Sequence, residues 1–347
     1  MTATPATAPE TISADGTTPL VELRHLVKEF PVTAGAVLQR RIGSIKAVTD
    51  VSFGIAKGET FGLVGESGCG KTTIGRLLVG LEKATSGEII FEGRDIARMT
   101  GSARRRQRRD LQLVFQDPYA SLDPRMRVGS IIKEPLVVQK IGTGEERNAR
   151  VRQLLAEVGL SPKAVDFYPH EFSGGQRQRI GLARALSLNP KLIVADEPVS
   201  ALDVSIRSQI LNLMNNLQAT HGLTYLVISH DLSVVKYLSD RIGVMYLGKL
   251  VEIGPSHSIY EQPAHPYTLG LIEAIPEPDP VRERAKAASP IRDELPSARH
   301  PPSGCRFRTR CPKAQDLCAA EEPPLQPFGP QHWAACHFPL QTPTAAA

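Results

Sequence analysis

The stretch Gly65-Glu66-Ser67-Gly68-Cys69-Gly70-Lys71-Thr72 decides the architecture. It fits G-x-x-x-x-G-K-[ST], in which glycines let successive backbone N–H groups turn inward around phosphate oxygens. A helix beginning at Lys71 would add the positive end of its dipole to that cradle. Lys71 then reaches the β- and γ-phosphates, and the Thr72 hydroxyl joins the shell of a Mg²⁺ ion. The flanks have the required order. Glu59–Val64 reads as a short apolar strand and Lys71–Leu81 has helical spacing, so strand, glycine-rich turn and helix follow one another. A second element completes the chemistry: Leu192-Ile193-Val194-Ala195-Asp196-Glu197 is an apolar strand buried on both faces that delivers two carboxylates at its end. Asp196 is placed to hold Mg²⁺ through water, and Glu197 to polarise the attacking water as general base.

Further out, Leu20–Phe30, Ala47–Ile55, 87–92, 111–116, Tyr225–Ile228 and Ile242–Leu247 read as strands, with Pro31–Ser44 irregular between the first two. From Pro118 to about Pro190 the pattern turns helical, with Arg150–Val158 clearly amphipathic; 204–219 and 231–238 are further helical stretches. A helical block inserted into an α/β core accounts for this order. Residues 1–19, rich in Thr, Ala and Pro, read as a disordered lead-in without the basic start and apolar run of a signal peptide. After Gly254 the sequence becomes Pro-rich and weakly periodic, which predicts a separate small module over 255–347. The 347 residues are 41% hydrophobic and 22% charged, ample for a real core, and no apolar run approaches the roughly 18 residues of a membrane-spanning helix. That composition predicts a cytoplasmic protein. A net charge of +5 is too small to argue for nucleic acid. The arginines at 104, 105, 106, 108 and 109 read as a solvated helix face or loop, since no stacking aromatics are interleaved.

Phe172-Ser173-Gly174-Gly175-Gln176, twenty residues before Asp196, resembles the signature of ATP-binding-cassette (ABC) ATPases, usually written with Leu where Phe172 stands. The strongly helical run Arg177–Leu186 follows it. The resemblance implies a phosphate-loop NTPase of the ABC type: a RecA-like α/β core, an antiparallel β-subdomain and an inserted α-helical subdomain over about 118–190, together spanning 20–254. It implies ATP and Mg²⁺ as ligands. Gly65, Glu66, Ser67, Gly68, Cys69, Gly70, Lys71, Thr72 and Thr73 are expected to bind ATP, and Phe30 resembles the aromatic that stacks on adenine. Thr72, Gln116 and Asp196 are expected around Mg²⁺; Gln116, Glu197 and His230 are the expected catalytic set. By the same resemblance, Ser173, Gly174, Gly175 and Gln176 face the ATP of a partner subunit. Ser200-Ala201-Leu202-Asp203 is expected to touch that partner through Asp203.

The resemblance narrows on Gln116-Asp117-Pro118-Tyr119-Ala120-Ser121-Leu122-Asp123-Pro124, Tyr168-Pro169-His170-Glu171, His265-Pro266-Tyr267-Thr268, Ala274–Pro280 and Pro301-Pro302-Ser303-Gly304-Cys305-Arg306-Phe307. These are similar to dipeptide and oligopeptide importer ATPases. By that likeness the chain powers peptide uptake, peripheral to the cytoplasmic face of the inner membrane. Its implied partners are a second ATPase subunit resembling it, two transmembrane permeases and an extracytoplasmic substrate-binding protein, with no nucleic acid. Related importers of nickel, opines, oligosaccharides or glutathione stay open, because substrate choice resides in the other subunits, and a non-transport ABC ATPase is the more distant alternative. Cys305, Cys311, Cys318 and Cys336, with five, six and seventeen residues between them, form a cluster in the tail. Four thiolates at irregular spacing favour a [4Fe–4S] cluster. Zinc, which more often shows a close C-x₂₋₄-C pair, and unliganded thiols or disulfides remain alternatives.

Overall fold

The computed structural model describes residues 18–34, 40–117, 121–276, 279 and 296–341. Most of the lead-in, the Pro118-Tyr119-Ala120 part of the segment after Gln116, and Glu277, Pro278 and Pro280 lie outside the described residues.

Two sheets carry the chain. β1 (Val21–Ala34) lies between β2 (Arg40–Ile55) and β4 (Ser86–Phe91), with β5 (Arg94–Asp95) at the far edge, all antiparallel. Pro31 does not interrupt the strand. β1 bonds to β4 only over Val21–Val27, so its outer half pairs with β2 alone. A residue without an N–H is tolerated along that open edge. Residues 31–34 and 40–44 of the stretch expected to be irregular are therefore paired strand, from Phe30↔Ile45 to Ala34↔Arg40.

The second sheet runs β11-β12-β10-β9-β3-β8-β7-β6. Its parallel heart comprises β6 (Leu111–Val114), β7 (Leu192–Asp196), β8 (Thr224–Ser229), β3 (Thr60–Val64) and β9 (Arg241–Tyr246). Both faces are covered, and the two-residue period of a strand sorts its side chains between them. Leu192, Val194, Leu226 and Ile228 join the core shared with the antiparallel sheet and α1 (Lys71–Leu78). Ile193, Ala195, Tyr225 and Val227 join the core beneath α3 (Val128–Val138), α4 (Gly144–Glu157) and α5 (Gly174–Leu186). Each fully buried Leu, Ile or Val contributes about 1.5–3 kcal/mol relative to exposure. The helix α4 starts where a capping box closes: Thr143 Oγ1 accepts the Glu146 N–H, and Glu146 Oε2 accepts the Thr143 N–H at 2.6 Å.

The arginine run forms α2 (Gly101–Asp110), preceding β6. Arg104 and Arg108 donate to the Gly80 carbonyl, and Arg109 donates to the side chain and carbonyl of Gln139 at 3.0 Å each. Three of the five arginines thus tie this helix to its neighbours. Among the described residues no helix is long and apolar enough to cross a membrane.

The tail, expected from its composition to form a small module, packs onto the core sheet. After β10 (Lys249–Pro255), α8 (Ser256–Glu261) and α9 (Pro266–Glu273), the chain passes through α10 (Asp316–Ala320) to β11 (Leu325–Gly329) and β12 (His332–Ala335). β12 pairs antiparallel with β10, at Glu252↔Ala334 and Ile253↔Trp333, and so extends the core sheet. Phe307 is buried in the main core against Tyr246 and Tyr267, with ring centroids 5.3 Å from each. Glu252 fastens the join. Its fully buried carboxylate accepts the N–H groups of Ala264 at 2.7 Å and His265 at 3.0 Å and meets His332 Nε2 at 2.7 Å. A buried carboxylate is tolerable only when supplied with donors in this way.

Candidate nucleotide site

The turn between β3 and α1 is shaped by close backbone contacts. Gly70, the N-cap of α1, has φ +109°, and a Cβ there would stand 2.1 Å from the Ala47 carbonyl oxygen. No larger residue fits. The cap supplies no side-chain acceptor and the first turn has no acid, so the first N–H groups of the helix remain for an anion. They border a cavity of about 180 Å³ lined by Ile45, Ala47, Ser67, Gly68, Gly70, Lys71, Thr72, Thr73, Gln116, Glu197 and Ala298. Lys71 is buried, and its Nζ donates to the carbonyls of Gly65 at 2.6 Å and Glu66 at 2.9 Å. Gly65, Glu66 and Cys69 stand behind the cavity rather than in its wall, and Cys69 Sγ lies 3.7 Å from Lys71 Nζ.

Beside the cavity, β7 ends at Asp196, whose Oδ1 accepts the Thr72 hydroxyl at 3.1 Å. Burial pushes the Asp196 carboxyl above its ordinary range, partly offset by that hydrogen bond. A hydroxyl and a carboxylate this close, with the Gln116 amide on the same cavity, are hard oxygen donors of the kind Mg²⁺ takes. The donor set fits. Gln116 itself lies two residues beyond the end of β6, which stops at Val114, and is exposed there. Just past β7 the backbone turns sharply at Glu197, with φ +50°. Glu197 Oε1 meets His230 Nδ1, contributed by the segment after β8, at 2.6 Å. Its other oxygen, Oε2, is buried without a partner. An uncompensated buried carboxylate oxygen is costly, and a nucleophilic water would satisfy it.

Ser173-Gly174-Gly175-Gln176 is absent from the cavity wall and opens α5 instead. Ser173 caps that helix: its Oγ accepts the Gln176 N–H at 3.4 Å, and Gln176 Oε1 accepts the Ser173 N–H at 2.9 Å. Gly175 is required by packing, since a Cβ would come within 2.4 Å of Ile206 Cγ2. Ile206 belongs to α6 (Val204–His221), whose N-cap, Asp203, is exposed and makes no side-chain capping bond. Phe30 is half-buried, with Lys28 Nζ 4.5 Å from its ring centroid, and lies across the ladder from Ile45. It is not in the cavity wall, although its ladder partner is.

Sequence reasoning missed Ile45, Ala47 and Ala298, small or apolar residues with no chemical signature. It also missed two residues behind the loop. Tyr267 Oη accepts the Glu66 N–H at 2.9 Å, and Arg310 grips the Glu66 carboxylate at 2.6 and 2.9 Å.

The four tail cysteines do gather in one corner: Cys305 N–H donates to the Cys318 carbonyl at 2.8 Å, and charge on Cys305, Cys311 or Cys318 would be felt at Cys336. Yet among the described residues no group of three or more His, Cys, Asp or Glu side chains is arranged to hold a metal ion. Burial pushes the Cys305 thiol up to about 11 and the Cys336 thiol up to about 12 in the metal-free chain. The [4Fe–4S] expectation for Cys305, Cys311, Cys318 and Cys336 is not supported. Spacing in a loop-rich tail did not translate into a ligand shell.

Comparison with known proteins bears on the rest. The ABC transporter family model matches residues 48–200, and the model for the C-terminal region of oligopeptide/dipeptide transporters matches 251–318. The oligopeptide transport ATP-binding protein AppF of Bacillus subtilis is 52% identical over 320 residues, covering 92% of this chain and 97% of that protein. A putative peptide import ATP-binding protein of Brucella ovis is 52% identical over 319 residues, covering 92% and 98%. Among solved structures, the dimeric ATP-binding cassette MJ0796 in a post-hydrolysis state bound to ADP and Pi matches with TM-score 0.59 and 29% identity, over 68% of this chain and 98% of that one. Relatives matched over nearly their whole length at such identity settle the assignment: the chain belongs to the ATP-binding subunits of the oligopeptide/dipeptide ABC transporter family.

Proposed function

We propose that the chain binds Mg-ATP in the cavity beside α1 and hydrolyses it to power import of dipeptides or oligopeptides. The observation that carries this is that Glu197, paired with His230, lines the same cavity as Lys71 and as Thr72, whose hydroxyl meets Asp196. Lys71 leaves its loop carbonyls to bind the β- and γ-phosphates. Thr72, Asp196 and Gln116 hold Mg²⁺, which neutralises phosphate charge when bound. Glu197 Oε2 takes a proton from the attacking water while His230 fixes the other carboxylate oxygen and lies within reach of the γ-phosphate. Phe30 stacks on the adenine from the β1–β2 hairpin.

Ser173, Gly174, Gly175 and Gln176 stand outside the chain's own cavity. They complete the site of a second ATPase subunit, with Asp203 at the same interface. Closure of that pair on ATP and reopening after hydrolysis form a two-state element biased by the γ-phosphate. The work passes to two transmembrane permeases, with an extracytoplasmic binding protein delivering substrate, and the chain sits peripherally on the cytoplasmic face of the inner membrane. Uptake assays in a strain lacking the gene test the substrate class. Labelled di- and tripeptide uptake should fall and return with the wild-type gene. Loss of nickel, oligosaccharide or glutathione uptake, with peptide uptake intact, would refute the peptide assignment.

A further inference from the structure

We propose that Arg310 and Tyr267 are positioning residues for ATP, holding the phosphate loop from behind through Glu66. This rests on the loop being the ATP site. Arg310 Nη1 and Nη2 pair with both Glu66 oxygens, at 2.6 and 2.9 Å, across 244 residues of sequence. Such two-point, charge-assisted pairs are the geometrically specific ones. The guanidinium is 7% exposed and lies 5.9 Å from the Tyr246 ring. Tyr267, fully buried with its ring centroid 4.8 Å from that of Tyr246, accepts the Glu66 N–H. The Glu66 carbonyl accepts Lys71 Nζ. One loop residue is thus fastened at its side chain and amide by the tail, and at its carbonyl by the lysine that must reach the phosphates.

The pair has an electrostatic purpose as well. Glu66 puts a negative charge on the loop meant to hold a polyanion. Left unpaired it would repel the phosphates; paired with Arg310 it is neutralised and kept out of the cavity wall. The tail meets the site a second time where Ala298 lines the cavity and Arg299 Nη2 donates to the Ile42 carbonyl at 3.3 Å. The tail therefore tunes how the loop is set for ATP, and a displacement of the segment around Arg310 is transmitted to Glu66.

The test uses full-length chain, the fluorescent analogue mant-ATP and steady-state ATPase kinetics. Arg310→Ala should weaken mant-ATP binding and raise KM for ATP about tenfold, with a smaller change in kcat. Adding Glu66→Gln to Arg310→Ala should restore most of that affinity, because it removes the unpaired charge. A purely structural arginine would show no such rescue. Tyr267→Phe, which keeps the packing and loses the acceptor, should weaken binding about threefold. Arg308→Ala, whose guanidinium bonds, among the described residues, within the tail at Ser303, should bind as wild type. If Arg310→Ala alone fails to fold, the double variant and Tyr267→Phe carry the test. Wild-type affinity in Arg310→Ala and Tyr267→Phe, or additive losses in the double variant, would overturn the proposal. A wild-type chain that does not bind mant-ATP would instead overturn the ATP site beneath it.

Discussion

Glu197→Gln is the most informative single change to the proposed chemistry. The side chain is 12% exposed, on a residue at φ +50°, with one oxygen 2.6 Å from His230 Nδ1 and the other buried and unpartnered. Glutamine has the same shape and the same backbone demands. It keeps an oxygen for a His230 N–H and replaces only the basic oxygen. The fold and the phosphate loop should therefore be untouched, and the loss confined to proton abstraction. A positioned general base is worth about 10²–10⁴ in rate, or roughly 3–5 kcal/mol of barrier. Single-turnover phosphate release at saturating Mg-ATP should slow by that factor, while mant-ATP affinity stays within about twofold. Hydrolysis within about threefold of wild type would refute the assignment of Glu197 as base. A parallel collapse of binding would show that Glu197 shapes the cavity rather than the chemistry.

Other consequences follow from the same contacts. Gly175→Ala forces Ile206 aside, a cost of about 1–3 kcal/mol of overpacking measurable by urea denaturation; adding Ile206→Ala should recover the stability. Hydrolysis that stays low in that double variant places Gly175 at a partner's phosphate, and full recovery would show a packing role alone. Asp196→Asn should raise the Mg²⁺ concentration for half-maximal ATPase about tenfold, leaving nucleotide binding without metal little changed; an unaltered Mg²⁺ dependence would remove Asp196 from the metal shell. His265, wholly buried, is held down to about 4 by burial, partly offset by Glu252. Its folded-state value lies below its ordinary 6.5, so its contribution to stability is complete above pH 6.5 and lost as pH falls toward 4. At 1.36 kcal/mol per unit that is roughly 2 kcal/mol by pH 5, and His265→Gln should flatten this part of the urea-midpoint profile.

The phosphate loop, the Asp196–Glu197 strand end and His230 were legible because their chemistry demands fixed residue types at short spacings next to apolar strands. The structure brings Lys71, Thr72, Asp196, Glu197, His230 and Gln116 around one cavity or into contact with its walls. Alternation was the other readable signal, since the apolar runs in β7 and β8 must face two cores. What escaped reading depended on partners distant in sequence. Pro31 looked like a break because the open edge of β1 is set by where β4 stops. β12 is four residues long and β11 contains Pro327, so neither carried a strand pattern, and β12 is defined by its pairing with β10. Glu66 was expected only as part of the ATP loop, and its tie to Arg310, 244 residues away, could not be read from the motif. For the cysteines spacing suggested ligation, yet among the described residues no group of them is arranged to hold a metal ion.

The central claim is that ATP turnover in this chain drives peptide across a membrane. Proteoliposomes containing the chain, its permeases and its partner ATPase, with Mg-ATP on the cassette side and binding protein plus labelled tripeptide on the other, measure it directly. Peptide should accumulate in step with phosphate release, and Lys71→Ala and Glu197→Gln should abolish both. Peptide accumulation that persists in both variants, or phosphate release that proceeds undiminished without any peptide movement, would contradict the account.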